Sequence, residues 1–281
     1  MNNKKLTILI SILLLVTLVI VLASTVFTLK TVSFNFLNQR LVLADYNTDN
    51  YLSGIDVPYG SSIFFVNKED LSSKLEKNNA YLQVVSIETT FPNNIVVHAS
   101  EREEVYAIRL SDNNYAITDK TLKILRFCDN AYLSRDGYLS PIVVDISYND
   151  VEINPASYGV CDHIDIDNVT DILLSVVNAF EVSGYNITSL KGFATGLNLR
   201  ESGSFKSTND GDYDLVFVKT VEMSTKYGIK LSISDAYSNL SQKVALAIKA
   251  YEMEHDKHNT TGEVLVFEQE NRIIARYRQE N

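Results

Sequence analysis

From Leu6 to Leu29 the chain reads LTILISILLLVTLVIVLASTVFTL, 24 residues without a charge, a glycine or a proline. At about 1.5 Å of rise per residue, a helix of that length spans a hydrocarbon core of about 30 Å. The run therefore predicts a transmembrane helix over residues 6–29. A cleaved signal peptide is the competing reading, and Val21-Leu22-Ala23 offers a small-residue cleavage pattern. The apolar run continues six residues past it, where a signal peptide is already polar, so an uncleaved anchor is expected. Lys4 and Lys5 precede the run and Lys30 follows it, a weak positive-inside bias that puts the tail 1–5 in the cytoplasm. A tail that short is no domain, so function is expected on the extracytoplasmic side, in a single-pass protein of the cell membrane.

The rest of the chain has the composition of folded matter. Of 281 residues, 46% are hydrophobic and 21% charged, with no Pro-rich or Gly-rich tract, which fits one large or two small domains. Beyond residue 30 there are 22 basic against 35 acidic side chains. Nucleic acid and anionic lipid surfaces need a basic face and are disfavoured as partners. Two cysteines, Cys128 and Cys161, are too few for a disulfide framework; two free thiols are expected, with a single bridge between them as the alternative. The sequons at Asn168, Asn186, Asn239 and Asn259 inform only in a eukaryotic secretory pathway.

The extracytoplasmic part divides near residue 102. A strand Thr31–Phe36 and a weakly patterned helix around Asp45–Ser53 come first. Asn67 is a plausible N-cap, and Leu71 and Leu75 stand four apart, which predicts a short amphipathic helix to Asn78. Tyr81–Thr90 and Asn94–Ser100 alternate with period two around Phe91-Pro92-Asn93, a turn in which proline fixes φ. In this register Ile95, Val97 and Ala99 share the face expected to be buried.

Beyond residue 102, Glu104–Leu110, Asn114–Thr118, Leu122–Phe127 and Ile142–Ile146 read as strands. Val169, Ile172, Leu173, Val176, Val177 and Phe180 recur at helical spacing, with Gly184 as the stop. Leu197–Leu199, Tyr213–Val218 and Gly228–Ile233 are strand-like, and GSFKSTNDGD between them reads as a flexible loop. A second helix over Asp235–His255 puts Leu240, Val244, Ile248 and Tyr251 on its buried face. Glu263–Glu268 and Arg272–Tyr277 form a closing hairpin. The fold class is α+β: an N-terminal transmembrane helix, a small strand-helix-helix-strand-strand module over 31–102, a larger mixed β-rich domain with two helices over 103–277, and a C-terminal tail 278–281.

This order resembles the FtsQ/DivIB cell-division family along nearly the whole chain. In that family the first module is a POTRA domain with a Gly-x-x-(Ile/Val)-Phe segment before its second helix and a Leu/Phe-Pro-Asn-x-(Leu/Ile) turn whose strand ends at Glu-Arg. Here stand Gly60-Ser61-Ser62-Ile63-Phe64 and Phe91-Pro92-Asn93-Asn94-Ile95 through Glu101-Arg102. Asn114-Tyr115-Ala116-Ile117-Thr118-Asp119 sits where the family has a strand ending in an acidic residue before a turn. The helix Leu240–Tyr251, then GEVLVF and RIIARY, resembles the closing helix and hairpin. One departure is that Phe36-Leu37-Asn38-Gln39 replaces the family's Gly-Asn after the first strand.

Catalytic and metal chemistry find little support in the residues. His255 and His258 with Glu252, Glu254 and Asp256 offer metal-ligand types, but two histidines at i, i+3 with no third ligand fit a solvated helix end better. Asp162-His163-Ile164-Asp165-Ile166-Asp167 fails the EF-hand pattern, because a loop begun at Asp165 has Thr170 and Val176 where Gly and Glu are required. Gly-x-Ser-x-Gly and the Ser-x-x-Lys with Lys-Thr-Gly set are missing, and neither cysteine has a histidine and acid constellation. The 16 tyrosines read as core and strand-face material rather than a glycan surface. No catalytic, cofactor-binding or metal residue is expected, and no cofactor.

The resemblance implies a non-enzymatic divisome scaffold, enriched at the division septum. It would link FtsL-like and FtsB/DivIC-like bitopic proteins and so act indirectly on septal peptidoglycan synthases. A membrane-anchored cell-wall enzyme or surface-binding protein is the alternative, and a chaperone for exported chains a weaker third. In the family the last strand of the β domain accepts a strand from the FtsB/DivIC-type partner, which implies a binding edge at Arg272, Ile273, Ile274, Ala275, Arg276 and Tyr277. Phe267 on the preceding strand and Tyr277 are its expected aromatic anchors.

Overall fold

The computed structural model of the chain describes residues 3–38, 41–134, 140–147, 153–207, 213–270 and 272–279. Contacts divide the chain into two compact units, Met1–Arg102 and Glu103–Asn281.

The first unit opens with helix α1, Asn3–Thr25. Its described side chains are apolar all round, from Val16 at 48% exposed to Leu14 at 68%, the pattern of a helix whose partner on every side is apolar. Among the described residues no helix is long and apolar enough to cross a membrane. The run expected to span over 6–29 is shared between two structures. The helix stops at Thr25, and Leu29 is 1% exposed in the core of the next module. Backbone bonds hold it there, Leu29 N–H to Ser61 O at 2.8 Å and Gly60 N–H to Leu29 O at 2.9 Å.

The module that follows contains strand β1 (Thr31–Phe36), helix α2 (Thr48–Leu52), helix α3 (Lys68–Asn78), strand β2 (Leu82–Thr90) and strand β3 (Asn94–Glu101). Its sheet order is β1-β3-β2, with β1 parallel and β2 antiparallel to the central strand. Asn67 caps α3 by accepting from Asp70 N–H at 3.1 Å. Asn47 and Asn50 cap α2 reciprocally, side chain to backbone, at 2.9 and 3.0 Å, so the weakly patterned helix starts at Thr48 rather than Asp45. Ile95, Val97 and Ala99 are fully buried and meet Leu71, Leu75 and Tyr51, while Val96 and His98 point to the half-exposed face. The expected register holds.

In the second unit a nine-stranded sheet is described. Along the chain come β4 (Tyr106–Ser111), β5 (Asn114–Thr118), β6 (Ile124–Cys128), the single-turn helix α4 (Asn130–Leu133), β7 (Ile142–Ser147), α5 (Val169–Val182), α6 (Ile187–Phe193), β8 (Ala194–Ser207), β9 (Tyr213–Thr225), β10 (Ile229–Ser234), α7 (Leu240–Asp256), β11 (Gly262–Gln269) and β12 (Arg272–Arg278). The strand order is β12-β11-β10-β9-β8-β7-β4-β5-β6. Helices make the crossovers between the parallel pairs β7/β8 and β10/β11, as parallel pairing demands.

All six periodic residues of α5 are buried, with α7 packed beside it. Gly184, at φ +87°, ends that helix. The second helix begins at Leu240, five residues later than expected, because Asp235 and Asn239 are both left-handed and form a turn. Lys243 is fully buried, and its ammonium donates to Ser234 O at 3.1 Å and Asp235 O at 2.9 Å, joining α7 to that turn. The segment read as a flexible loop differs too. β8 runs on through Ser207 in register with β9, and the remainder, 208–212, lies outside the described residues.

Candidate partner-binding edge

The sheet has two edge strands, and they differ. The chain segment 161–163 caps the start of β6: Ile124 N–H donates to Asp162 O at 2.8 Å, Cys161 N–H to Ile124 O at 2.9 Å, and Lys123 bridges to His163. Beyond β12, among the described residues, no strand follows. An uncovered edge presents backbone donors and acceptors that another chain can pair with.

Register decides which β12 side chains flank that edge. Ile274 lies opposite Phe267, Arg276 opposite Leu265 and Tyr277 opposite Val264. Strand residues alternate between faces, so Arg272, Ile274, Arg276 and Arg278 share one face with Phe267 and Leu265. Ile273, Ala275 and Tyr277 pack against the main core on the other. The guanidinium of Arg276 sits 5.3 Å from the centroid of the Phe267 ring, a cation–π contact that fixes both on the core-distal face. Arg278 pairs with Glu263.

The two expected aromatic anchors are thus on opposite faces. Tyr277 is committed within the domain, with its hydroxyl donating to Thr261 O at 2.6 Å. Its ring lies against Gly262, where an added Cβ would come within 2.9 Å of Cε2. Leu265 and Arg278 were not anticipated at this face. Counting by twos from Phe267 and Ile274 finds them once the pairing offset is known.

Within the first unit, the Glu-Arg pair closing β3 ties the module together. Glu101 accepts from Leu41 N–H at 2.5 Å and Val42 N–H at 2.7 Å. Asn38 brackets its backbone, accepting from Glu101 N–H at 2.9 Å and donating to Glu101 O at 3.2 Å. Arg102 reaches the opposite side, donating from Nη2 to Glu76 on α3 at 2.8 Å and from Nε to Leu82 O at 3.3 Å. Glu76 also accepts from Val84 N–H at 2.7 Å. One dipeptide therefore fixes the loop after β1, helix α3 and strand β2 relative to the central strand.

Residues 50–102 match the family model of the FtsQ-type POTRA domain. The chain carries an FtsQ-type POTRA domain, and this supports an FtsQ/DivIB-family protein. The matched segment of the POTRA domain ends at Arg102, where the first compact unit also ends. No curated protein matches the chain. Asn38, which precedes the matched segment, tethers the loop after β1 to it through its two bonds to Glu101.

The remaining polar clusters have local partners. His255 stacks 5.8 Å from Tyr251 and lies 5.0 Å from Tyr227. Glu254 accepts from Lys257 and Asn259, both at 2.7 Å, and these bonds, that from Lys257 foremost, hold its carboxyl below the usual range. Asp162 accepts from Gly159 N–H at 2.7 Å, closing a turn. Among the described residues no group of three or more His, Cys, Asp or Glu is arranged to hold a metal ion.

Proposed function

We propose that the protein is a non-enzymatic scaffold of the bacterial division machinery, anchored in the cytoplasmic membrane through the uncharged N-terminal run that begins at Leu6, with the POTRA and β domains outside. On this reading β12 accepts a strand from an FtsB/DivIC-type bitopic partner, an FtsL-type protein joins the assembly, and septal peptidoglycan synthesis is regulated through the complex. FtsQ-type POTRA proteins are generally non-enzymatic, which supports the scaffold class.

The observation that carries the partner site is the contrast between a β6 rim capped at its first residue by segment 161–163 and a β12 rim beyond which, among the described residues, no strand follows. Main-chain pairing along β12 would supply affinity, and its core-distal face would supply selectivity through Ile274, Phe267 and the arginines. Those arginines make the edge locally basic on an acidic molecule, which suits an acidic partner segment and raises its association rate. The apolar surface of α1 supports the anchor, since a helix apolar all round needs lipid or protein on every side.

Affinity purification of the full chain from cross-linked host membranes tests the assignment. Recovery of single-pass division proteins is expected. Recovery of only envelope-transport or glycan-processing proteins would remove the scaffold reading.

A further inference from the structure

We propose that Phe64, Phe65 and Phe91, set around Phe27, form an aromatic platform by which the POTRA domain docks on the lipid–water interface beside the end of α1. The proposal rests on the reading that α1 sits in lipid.

Three stretches of chain build the platform. Phe27 lies two residues beyond the last residue of α1, and at no more than about 3.6 Å per residue it stays at the helix end. Antiparallel pairing then brings the second stretch alongside: Thr28 bridges Ser62, and Ile63 N–H donates to Phe27 O at 2.9 Å. A short 3-10 turn over Ile63–Phe65 follows, which places Phe64 and Phe65 directly after that pairing. The third is the β2–β3 turn, drawn to the same point by Lys30 N–H donating to Asn93 O at 2.9 Å. The rings form a mutual cluster, with centroids of Phe27 and Phe64 at 5.5 Å, Phe64 and Phe91 at 5.6 Å, and Phe27 and Phe91 at 6.1 Å.

The cluster faces outward. Phe64 is 56% exposed, Phe91 61% and Phe65 86%, with Tyr59 at 52% beside them in sequence. Exposed phenylalanines gathered in this way mark an interaction surface rather than an ordinary aqueous one. Charge points the same way. In a chain with 35 acidic residues, the stretches 24–29, 57–66 and 89–97 contain no charged residue at all. A patch that is apolar, aromatic and uncharged, covalently held at the end of an apolar helix, matches the headgroup–acyl boundary, where aromatic rings collect without electrostatic attraction. Docking there would hold the POTRA domain against the membrane face instead of leaving it free on a tether.

The chain has no tryptophan, so one introduced indole reports cleanly. Full-length protein carrying Phe65→Trp is reconstituted into phosphatidylcholine vesicles with and without brominated acyl chains, and Leu14→Trp is measured in parallel to report on α1. We expect brominated lipid to lower emission from the Phe65→Trp protein by about twofold or more, as for a ring at the acyl boundary. Adding Phe64→Ser and Phe91→Ser, both at exposed positions, removes most of that quenching without moving the thermal transition. Quenching at Leu14→Trp but not at Phe65→Trp overturns the docking and leaves the anchor standing. Quenching at neither overturns both. Quenching that survives the two serine substitutions overturns the platform. An emission shift that grows with protein density and ignores bromination assigns the patch to a protein partner instead, and overturns the lipid proposal.

Discussion

Arg102 and Glu76 form an ion pair of 2.8 Å across 26 positions of sequence, with the arginine side chain 9% and the glutamate 23% exposed. The pair joins the last residue of the POTRA domain to the helix that covers its sheet.

Because the pair is shielded and Glu76 also holds Val84 N–H, removing one partner leaves a charge with reduced compensation. Arg102→Ala should cost about 2–4 kcal/mol of POTRA stability. A double-mutant cycle with Glu76→Gln should return a coupling of about 1–3 kcal/mol. Native-state hydrogen exchange at β3 amides, which isolates this domain from the other, is the measurement.

The two faces of β3 differ in the same way. Ile95 is fully buried against the helices and Val96 is not. Ile95→Asn should therefore lower POTRA stability by about 3–5 kcal/mol, against about 1 kcal/mol or less for Val96→Asn. Thermal unfolding followed by a probe within residues 31–102 gives the order, and the reverse order refutes the register.

Gly262 supports the β12 edge. At φ +114° it leaves no room for a side chain, since a Cβ would lie 2.7 Å from Arg278 O and 2.8 Å from the Tyr277 hydroxyl. Gly262→Ala should cost about 2 kcal/mol or more and loosen the β11–β12 pairing first. Loss of exchange protection confined to that hairpin is the expected result.

Lys191 carries a pH signature. Its side chain is 2% exposed and 3.4 Å from Glu103. Burial lowers its pKa below the ordinary 10.5, and the carboxylates of Glu103 and Glu104 oppose that shift only in part. Between the lowered folded value and 10.5 the unfolded chain keeps a proton that the folded chain has shed, so this residue makes stability rise with pH through that window. Relative to Lys191→Met, the wild-type chain should gain stability as pH rises towards the ordinary lysine value of 10.5, read by urea denaturation of the β domain at each pH.

Much of this fold is written in local pattern. The period-two runs at Leu82–Thr90 and Asn94–Glu101, the helical spacing from Val169 to Phe180 and the Asn67 cap each place an element from a few neighbouring residues. Short helices escaped: α4 is a single turn, and α6 has few apolar positions over seven residues. The extension of β8 to Ser207 escaped because GSFKS is turn-like in composition and is strand only through pairing with β9. At the edge, the strand itself was legible but its faces were not. Which of Phe267 and Tyr277 points away from the core depends on the offset that sets Phe267 against Ile274. The partners of Glu101 and Arg102 stand too far off in sequence for any local pattern to reveal.

The open β12 rim as the partner's docking strand is tested most directly by site-specific photocrosslinking in living cells. A photoreactive phenylalanine analogue replaces Ile274 on β12 in one full-length variant and Arg126 on β6 in another. A crosslink from position 274 to a single-pass division protein, with little or none from position 126, is the predicted result. Crosslinks from 126 and not from 274, in chains that fold and localise alike, would contradict it.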